Sequence, residues 1–145
     1  ILSQHHFHNV QKMLVHYHYY PESKQIGIKD IVEKDAEIDI PQYVLNRING
    51  KYRDKPIISD PDNNDNAPTC VAHYAKDVGT RLVKDGKRIR PYTVREYGRL
   101  QGFPDWFEFS GTDRDAYRQI GNAVAVPMGE WIGRQAVKYF NGRRL

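Results

Sequence analysis

Residues 90–105 read Arg-Pro-Tyr-Thr-Val-Arg-Glu-Tyr-Gly-Arg-Leu-Gln-Gly-Phe-Pro-Asp. Thr93 followed three residues later by Glu96 is a capping box. The hydroxyl can accept from the third backbone N–H while the carboxylate reaches back to the first. The pattern predicts a helix from there to about Gln101. Gly102 ends it in a left-handed conformation and Pro104 forbids resumption. Arg95 and Arg99 fall one turn apart on one face. Trp106, Phe107 and Phe109 then supply apolar packing. Thr112-Asp-Arg-Asp115 is a second, weaker cap for a short helix ending at Ile120–Gly121. Pro127 opens a final helix, in which Met128, Trp131, Ile132, Ala136, Tyr139 and Phe140 recur at spacings of three and four.

Upstream, residues 11–20 are dense in aromatic and β-branched side chains and read as a strand, ended by Pro21. Ile28 to Glu33 is a short helical turn with Ile28, Ile31 and Val32 on one side. Pro41 takes a first helical position, followed by Val44, Leu45 and Ile48, with Gly50 as the stop. Residues 59–68, rich in Asp, Asn and Pro, are a loop. Thr69–Tyr74 and Arg81–Val83 are strand candidates, and Asp85-Gly86 is a turn signal.

A chain of 145 residues with 39% hydrophobic content holds one domain, or a small domain and an appendage. No apolar run reaches the ~20 residues of a membrane span. The start has neither a basic region nor an apolar one, so no signal peptide is expected, and the missing initial Met fits a trimmed or truncated product. The single cysteine, Cys70, excludes an internal disulfide and a multi-cysteine zinc site, and suits a reducing compartment. Between Arg81 and Arg99 stand seven basic and two acidic residues, a local net of +5 in a chain of net +4, so the rest carries −1. Such a stripe on a near-neutral body fits a polyanion partner, or else a solvated face.

The segment Arg90–Asp105 resembles the ninth motif of the DNA cytosine-5 methyltransferases: an Arg, then Leu-Thr-x-Arg-Glu, then Arg-Leu-Gln-Gly-Phe-Pro-Asp. Tyr117–Val126, with Tyr-Arg-Gln-Ile-Gly-Asn-Ala-Val, is similar to the family's tenth. Ala67-Pro-Thr-Cys-Val-Ala72 is similar to the Pro-Thr-Leu-Thr-Ala end of its target-recognition region. Together these cover Ala67 to about Phe140.

The resemblance implies that Arg90, Thr93, Arg95, Glu96, Arg99, Gln101 and Gly121 are structural parts of the motifs. Surface arginines on a helix are the plainer reading of Arg95 and Arg99. It implies S-adenosylmethionine contacts for Asn122 and Val124; a plain cap and a packed valine are the alternative. It implies a DNA-backbone contact for Thr69, and Lys87 and Arg88, placed in the turn, could reach phosphates. The fold expected is mixed α and β. Residues 1–86 form a strand-bearing recognition region. Residues 87–145 form a helical segment packing on a Rossmann-like catalytic domain that this chain does not contain.

In the family, cytosine is flipped from the duplex and attacked at carbon 6 by the cysteine of a Pro-Cys motif. Cys70 follows Thr69 and is not that nucleophile. No Glu-Asn-Val and no Phe-x-Gly-x-Gly occurs, and Ser3-Gln4-His5-His6-Phe7-His8 lacks the arginines of the family's eighth motif. The expectation is the C-terminal part of a DNA cytosine-5 methyltransferase, inactive alone. It would share S-adenosylmethionine and duplex DNA with a catalytic chain, as a fragment or as the small subunit of a split enzyme. A bacterial or phage cytoplasmic setting, with a restriction–modification context, goes with that. The alternative is a non-catalytic DNA-binding module or decayed remnant. His5, His6, His8, His16 and His18 lack a defined fourth metal ligand. Asp60–Val71 fails as a calcium loop, with Asp65 where Gly is needed and Val71 where Glu is needed.

Overall fold

The computed structural model describes residues 26–50, 53, 57–63 and 66–142. The strand expected at 11–20 lies outside the described residues. A three-stranded sheet anchors the fold, in the order β1 (Ile57–Ser59), β2 (Arg81–Asp85), β3 (Arg88–Pro91). β1 runs parallel to β2, with Ile58 opposite Leu82. β3 runs antiparallel, with Val83 opposite Arg90 and Asp85 opposite Arg88. The β2–β3 hairpin turns at Gly86, whose φ of 59° is the left-handed backbone that Asp-Gly turns supply.

Among the described residues four α-helices accompany the sheet: α1 (Gln42–Asn49), α2 (Val94–Leu100), α3 (Asp113–Asn122) and α4 (Val126–Asn141). α1 buries Val44 and stops at Gly50, with Pro41 as its N-cap rather than its first residue. α2 opens with the Thr93–Glu96 capping box and ends before Gln101. α3 opens with the equivalent Thr112–Asp115 box. Gly102 leaves α2 at φ 83°, and a β-carbon there would fall 2.6 Å from Pro127 Cδ, so the turn and the start of α4 both need glycine.

The core holds Ile28, Cys70, Val83, Ile120 and four tyrosines, Tyr74, Tyr92, Tyr97 and Tyr117. The rings of Tyr74 and Tyr97 stack at 4.5 Å, and Tyr117 meets both edge-on. Buried phenols are tolerated when their hydroxyls find partners. Tyr74 donates to the Arg81 carbonyl at 2.8 Å, Tyr117 to the Tyr92 carbonyl at 2.7 Å, and Tyr97 both accepts from the Val71 N–H and donates to the Val71 carbonyl.

Two sequence expectations are corrected. Thr69–Tyr74 is not a strand. The Tyr97 hydroxyl takes both backbone groups of Val71, which a ladder would need, and the chain instead enters a 3₁₀ turn at Tyr74–Lys76. Arg88, expected with Lys87 in the turn, is instead the first residue of β3. α4 buries none of its residues, and Met128, Ile132, Val137 and Phe140 are exposed.

Candidate functional site

Arg90 and Glu96 hold the centre of the ninth-motif segment. Both side chains are fully enclosed, at 1% and 0% exposure. β3 delivers Arg90 and the first turn of α2 delivers Glu96. The guanidinium donates to both Glu96 carboxylate oxygens at 2.8 Å, to Asp85 Oδ2 at 2.8 Å, to the Glu33 carbonyl at 2.9 Å and to the Pro91 carbonyl at 3.1 Å. All five of its donors are thereby used. Glu96 accepts in addition from the Glu33 N–H at 2.8 Å and the Thr93 N–H at 2.7 Å. A buried charge pair is tolerable when every lone pair and proton is matched in this way. Burial works against the Arg90 charge, but the bonds from Glu96 and Asp85 outweigh it and raise its pKa. The Arg90 guanidinium holds the Asp85 carboxyl below its ordinary range.

Thr93 Oγ1 donates to Glu33 Oε2 at 2.6 Å, so capping box and ion pair both clamp a segment about sixty residues upstream. The other two arginines of the motif reach the aromatic loop after α2. Arg95 donates to the Phe107 carbonyl at 3.1 Å. Arg99 pairs with both oxygens of Asp105 at 2.7 and 2.8 Å and also donates to the Ile31 carbonyl at 2.9 Å. The Arg99 bonds hold the Asp105 carboxyl below its usual value.

Gln101 joins the two motifs. Its side-chain amide donates to the carbonyls of Ile120 (3.1 Å), which also accepts the Ala123 N–H at the end of α3, and of Ala123 (3.2 Å), and its backbone carbonyl accepts from the Val126 N–H at 2.8 Å. Gly121 completes the junction. A β-carbon on it would lie 2.2 Å from the Ala72 nitrogen and the Val71 carbonyl carbon, so α3 crosses the 67–72 segment backbone to backbone. The three stretches quoted from the sequence therefore meet at one place: Val71–Ala72, Gln101 and Gly121–Ala123.

At that junction Asn122 is exposed and lines an open cleft of about 320 Å3 with Ala72, His73, Ala75, Lys76, Arg114 and Arg118. Val124, 64% exposed, lies on the turn between α3 and α4 and outside this lining. Thr69 is exposed, with its carbonyl held by Arg81 Nε at 2.8 Å. Lys87 and Arg88 sit elsewhere. They border a second cleft of similar volume, with Ile38, Ile40, Leu45 and Ile89, and Arg88 donates to the Ala36 carbonyl at 2.9 Å. The structure thus brings Asn122 beside the basic residues of α3 and separates it from Lys87 and Arg88.

Sequence reasoning passed over Glu33, Lys76, Arg114 and Arg118. The last two share a spacing of four with Asn122, which places all three on one helix face. Glu33 had no local signal. Burial pushes the Cys70 thiol up to about 11, so it is held as the protonated, unreactive form near neutrality. Among the described residues no group of acidic, His or Cys side chains is arranged to hold a metal ion, and no helix is long and apolar enough to cross a membrane.

The profile of the family "C-5 cytosine-specific DNA methylase" matches residues 2–138. The type II methyltransferase M.Sau96I of Staphylococcus aureus is 54% identical over 52 residues, 36% of this chain and 12% of that protein. The DNA (cytosine-5)-methyltransferase 3 of Zea mays is 31% identical over 119 residues, 75% of this chain and 13% of that protein. Among solved structures, the Dnmt2 methyltransferase of S. pombe superposes with a TM-score of 0.63 at 20% identity, over 91% of this chain and 46% of that one. The Entamoeba histolytica methyltransferase EhMeth superposes at 0.65 and 19% identity, over 82% and 42%. These superpositions agree with a methyltransferase-type mixed α and β fold. The chain belongs to the C-5 cytosine-specific DNA methylase family. It spans about an eighth of the length of those two curated relatives and under half of the two solved chains.

Proposed function

We propose that this chain is the DNA-recognition and cofactor-closing C-terminal part of a DNA cytosine-5 methyltransferase, and that residues borne elsewhere, in a longer chain or a partner chain, perform the bond-making steps. The observation that carries it is the junction at Gln101, Gly121 and Val71–Ala72, which locks the recognition segment, the ninth motif and the tenth motif into one rigid unit. On this reading residues 1–86 are the recognition region and 87–145 the helical segment, with the hairpin turn at Gly86 as the seam.

The residues present fit one edge of an S-adenosylmethionine site rather than a whole one. Asn122 offers a side-chain amide with no protein partner, able to donate and accept, and Val124 offers an exposed apolar face. When bound, that cofactor supplies the methyl group. This chain's residues orient its polar end through Asn122, cover its apolar part through Val124, and hold both against drift through Gln101. Thr69, Lys87 and Arg88 contact the duplex backbone, which positions the protein without reading sequence. The exposed stripe of α4, Met128, Ile132, Val137 and Phe140, packs on the catalytic part.

The nucleophile comes from outside these 145 residues. No Pro-Cys or Glu-Asn-Val occurs in the sequence, and Cys70 is buried with a raised pKa. The test is reconstitution. Purified chain, a complementary catalytic half carrying Pro-Cys and Glu-Asn-Val, duplex DNA and methyl-labelled S-adenosylmethionine are combined. Label should enter cytosine only when both halves are present. Turnover by the 145-residue chain alone ends this reading.

A further inference from the structure

We propose that the cleft between the Tyr74–Lys76 turn and α3 seats one phosphodiester of duplex DNA, with Lys76, Arg114 and Arg118 as its cationic walls. The inference rests on the DNA-methyltransferase reading above and adds a contact point that the motifs do not contain.

The geometry is that of a two-walled slot. Arg114, Arg118 and Asn122 recur every fourth residue and form one row along α3, while His73 and Lys76 face them from the 3₁₀ turn. Lys76 and Arg114 make no side-chain hydrogen bond to protein. Arg118 gives one N–H to Asp115 at 2.9 Å and keeps its others. Asp115 is already committed to the Thr112 backbone and hydroxyl, at 3.1 and 2.7 Å, as the cap of α3. The lining therefore presents three cations and no carboxylate. The two walls are held at a fixed distance, because Gly121 abuts the Val71–Ala72 backbone and Tyr97 grips both polar groups of Val71. A preset spacing of donors lowers the ordering cost of binding an anion.

The charge pattern selects the anion. At the Lys76, Arg114 and Arg118 part of the cleft an ammonium, such as that beside the carboxylate of a cofactor's amino-acid end, would meet like charge, whereas Asn122, eight residues along α3 from Arg114, stands at the other end of the row and is left to the cofactor. A phosphodiester carries negative charge alone, and arginine forks match its oxygens. The cleft is also open along one side, with His73, Lys76, Arg114, Arg118 and Asn122 all exposed, as an extended polymer requires. Thr69, the proposed backbone contact, lies three residues before Ala72 in the cleft wall, so the slot continues the same track of duplex.

Fluorescence anisotropy with a labelled duplex, titrated with the full chain over a range of salt, tests this. Each lost phosphate contact lowers the slope of log affinity against log salt by about 0.9. Lys76→Gln/Arg114→Gln/Arg118→Gln should lower it by more than 2 units and weaken binding at least tenfold, with Arg114→Gln alone giving about a third of the slope change. Lys29→Gln/Lys34→Gln/Lys138→Gln removes the same charge from exposed sites elsewhere and should lower the slope by less than 1 unit. Equal losses from both triples overturn the slot, since only net charge then matters. If the cleft triple leaves duplex binding intact but weakens S-adenosylmethionine binding in the reconstituted enzyme, the anion is a carboxylate and the proposal is wrong. If the unmodified chain binds no duplex, the DNA-recognition reading falls with it.

Discussion

Arg90 and Glu96 lie side by side in the interior, joined by two parallel hydrogen bonds of 2.8 Å. Six residues apart in sequence, one lies near the end of β3 and the other in the first turn of α2, so the pair ties strand to helix across the intervening bend. Removing one partner strands the other charge in the interior. Glu96→Gln or Arg90→Met should each lower the unfolding free energy by about 3–5 kcal/mol, read from urea denaturation. The double variant Arg90→Met/Glu96→Gln should recover a large part of that loss. Additive losses would show that the two side chains do not act as a pair.

Gly121→Ala forces a methyl group into main-chain atoms of Val71 and Ala72, which cannot rotate away. The expected loss is about 3 kcal/mol, at the upper end for overpacking. Gly129→Ala is the matched comparison. It lies within α4 with open space around its β-position, and it should stabilise by up to about 1 kcal/mol through helix propensity. Equal effects at both sites would contradict the close approach.

Gln101→Ala deletes both donors at the end of α3 while leaving Asn122 in place. The Ala123 carbonyl loses the Gln101 amide, worth about 1–3 kcal/mol if it stays buried, while the Ile120 carbonyl keeps the Ala123 N–H. In the reconstituted enzyme the dissociation constant for S-adenosylmethionine should rise about tenfold, and Asn122→Ala should raise it at least as much. An unchanged constant in Asn122→Ala removes that residue from the cofactor edge.

Stability should fall at alkaline pH. Burial raises the Cys70 pKa from 9.0 to about 11, so between those values the unfolded chain has lost a proton that the folded chain retains. The contribution is intact below pH 9 and is lost progressively up to about pH 11, with a limiting slope of about 1.4 kcal/mol per pH unit. Burial shifts Tyr74, Tyr92, Tyr97 and Tyr117 in the same direction, so the decline steepens above pH 10. Urea midpoints measured from pH 8 to 11 check this, and Cys70→Ala should flatten the portion between 9 and 10. Alkylation of native Cys70 at pH 8 should be far slower than that of the denatured chain.

Much of the helical third was legible because its signals are local. Thr93 with Glu96, Thr112 with Asp115, Gly102 and the Asp85-Gly86 turn each act within a few residues, and each stands where the pattern put it. What could not be read depends on distant partners. Thr69–Tyr74 has the composition of a strand, but the Tyr97 hydroxyl captures its backbone. Arg88 reads as part of the turn with Lys87, yet it opens β3, whose Arg90 is held by the Asp85 and Glu96 carboxylates and the distant Glu33 carbonyl. The cleft residues Lys76 and Arg114 come together only when α3 crosses the 67–72 segment at Gly121, a closeness no window of sequence displays.

Helix α4 ends the described chain with sixteen residues, none of them buried, tied at its beginning by the Val126–Gln101 hydrogen bond and the fit of Pro127 against Gly102. Most of a helix's stability in a protein comes from tertiary packing of its apolar face rather than from the helix itself. Whatever surface comes to rest on Met128, Ile132 and Phe140 therefore adds to the helix's own order, so docking and the completion of folding at this end are a single equilibrium. Amide-exchange protection along α4 would rise with the concentration of that surface, while protection in α2 and the hairpin stayed where it was.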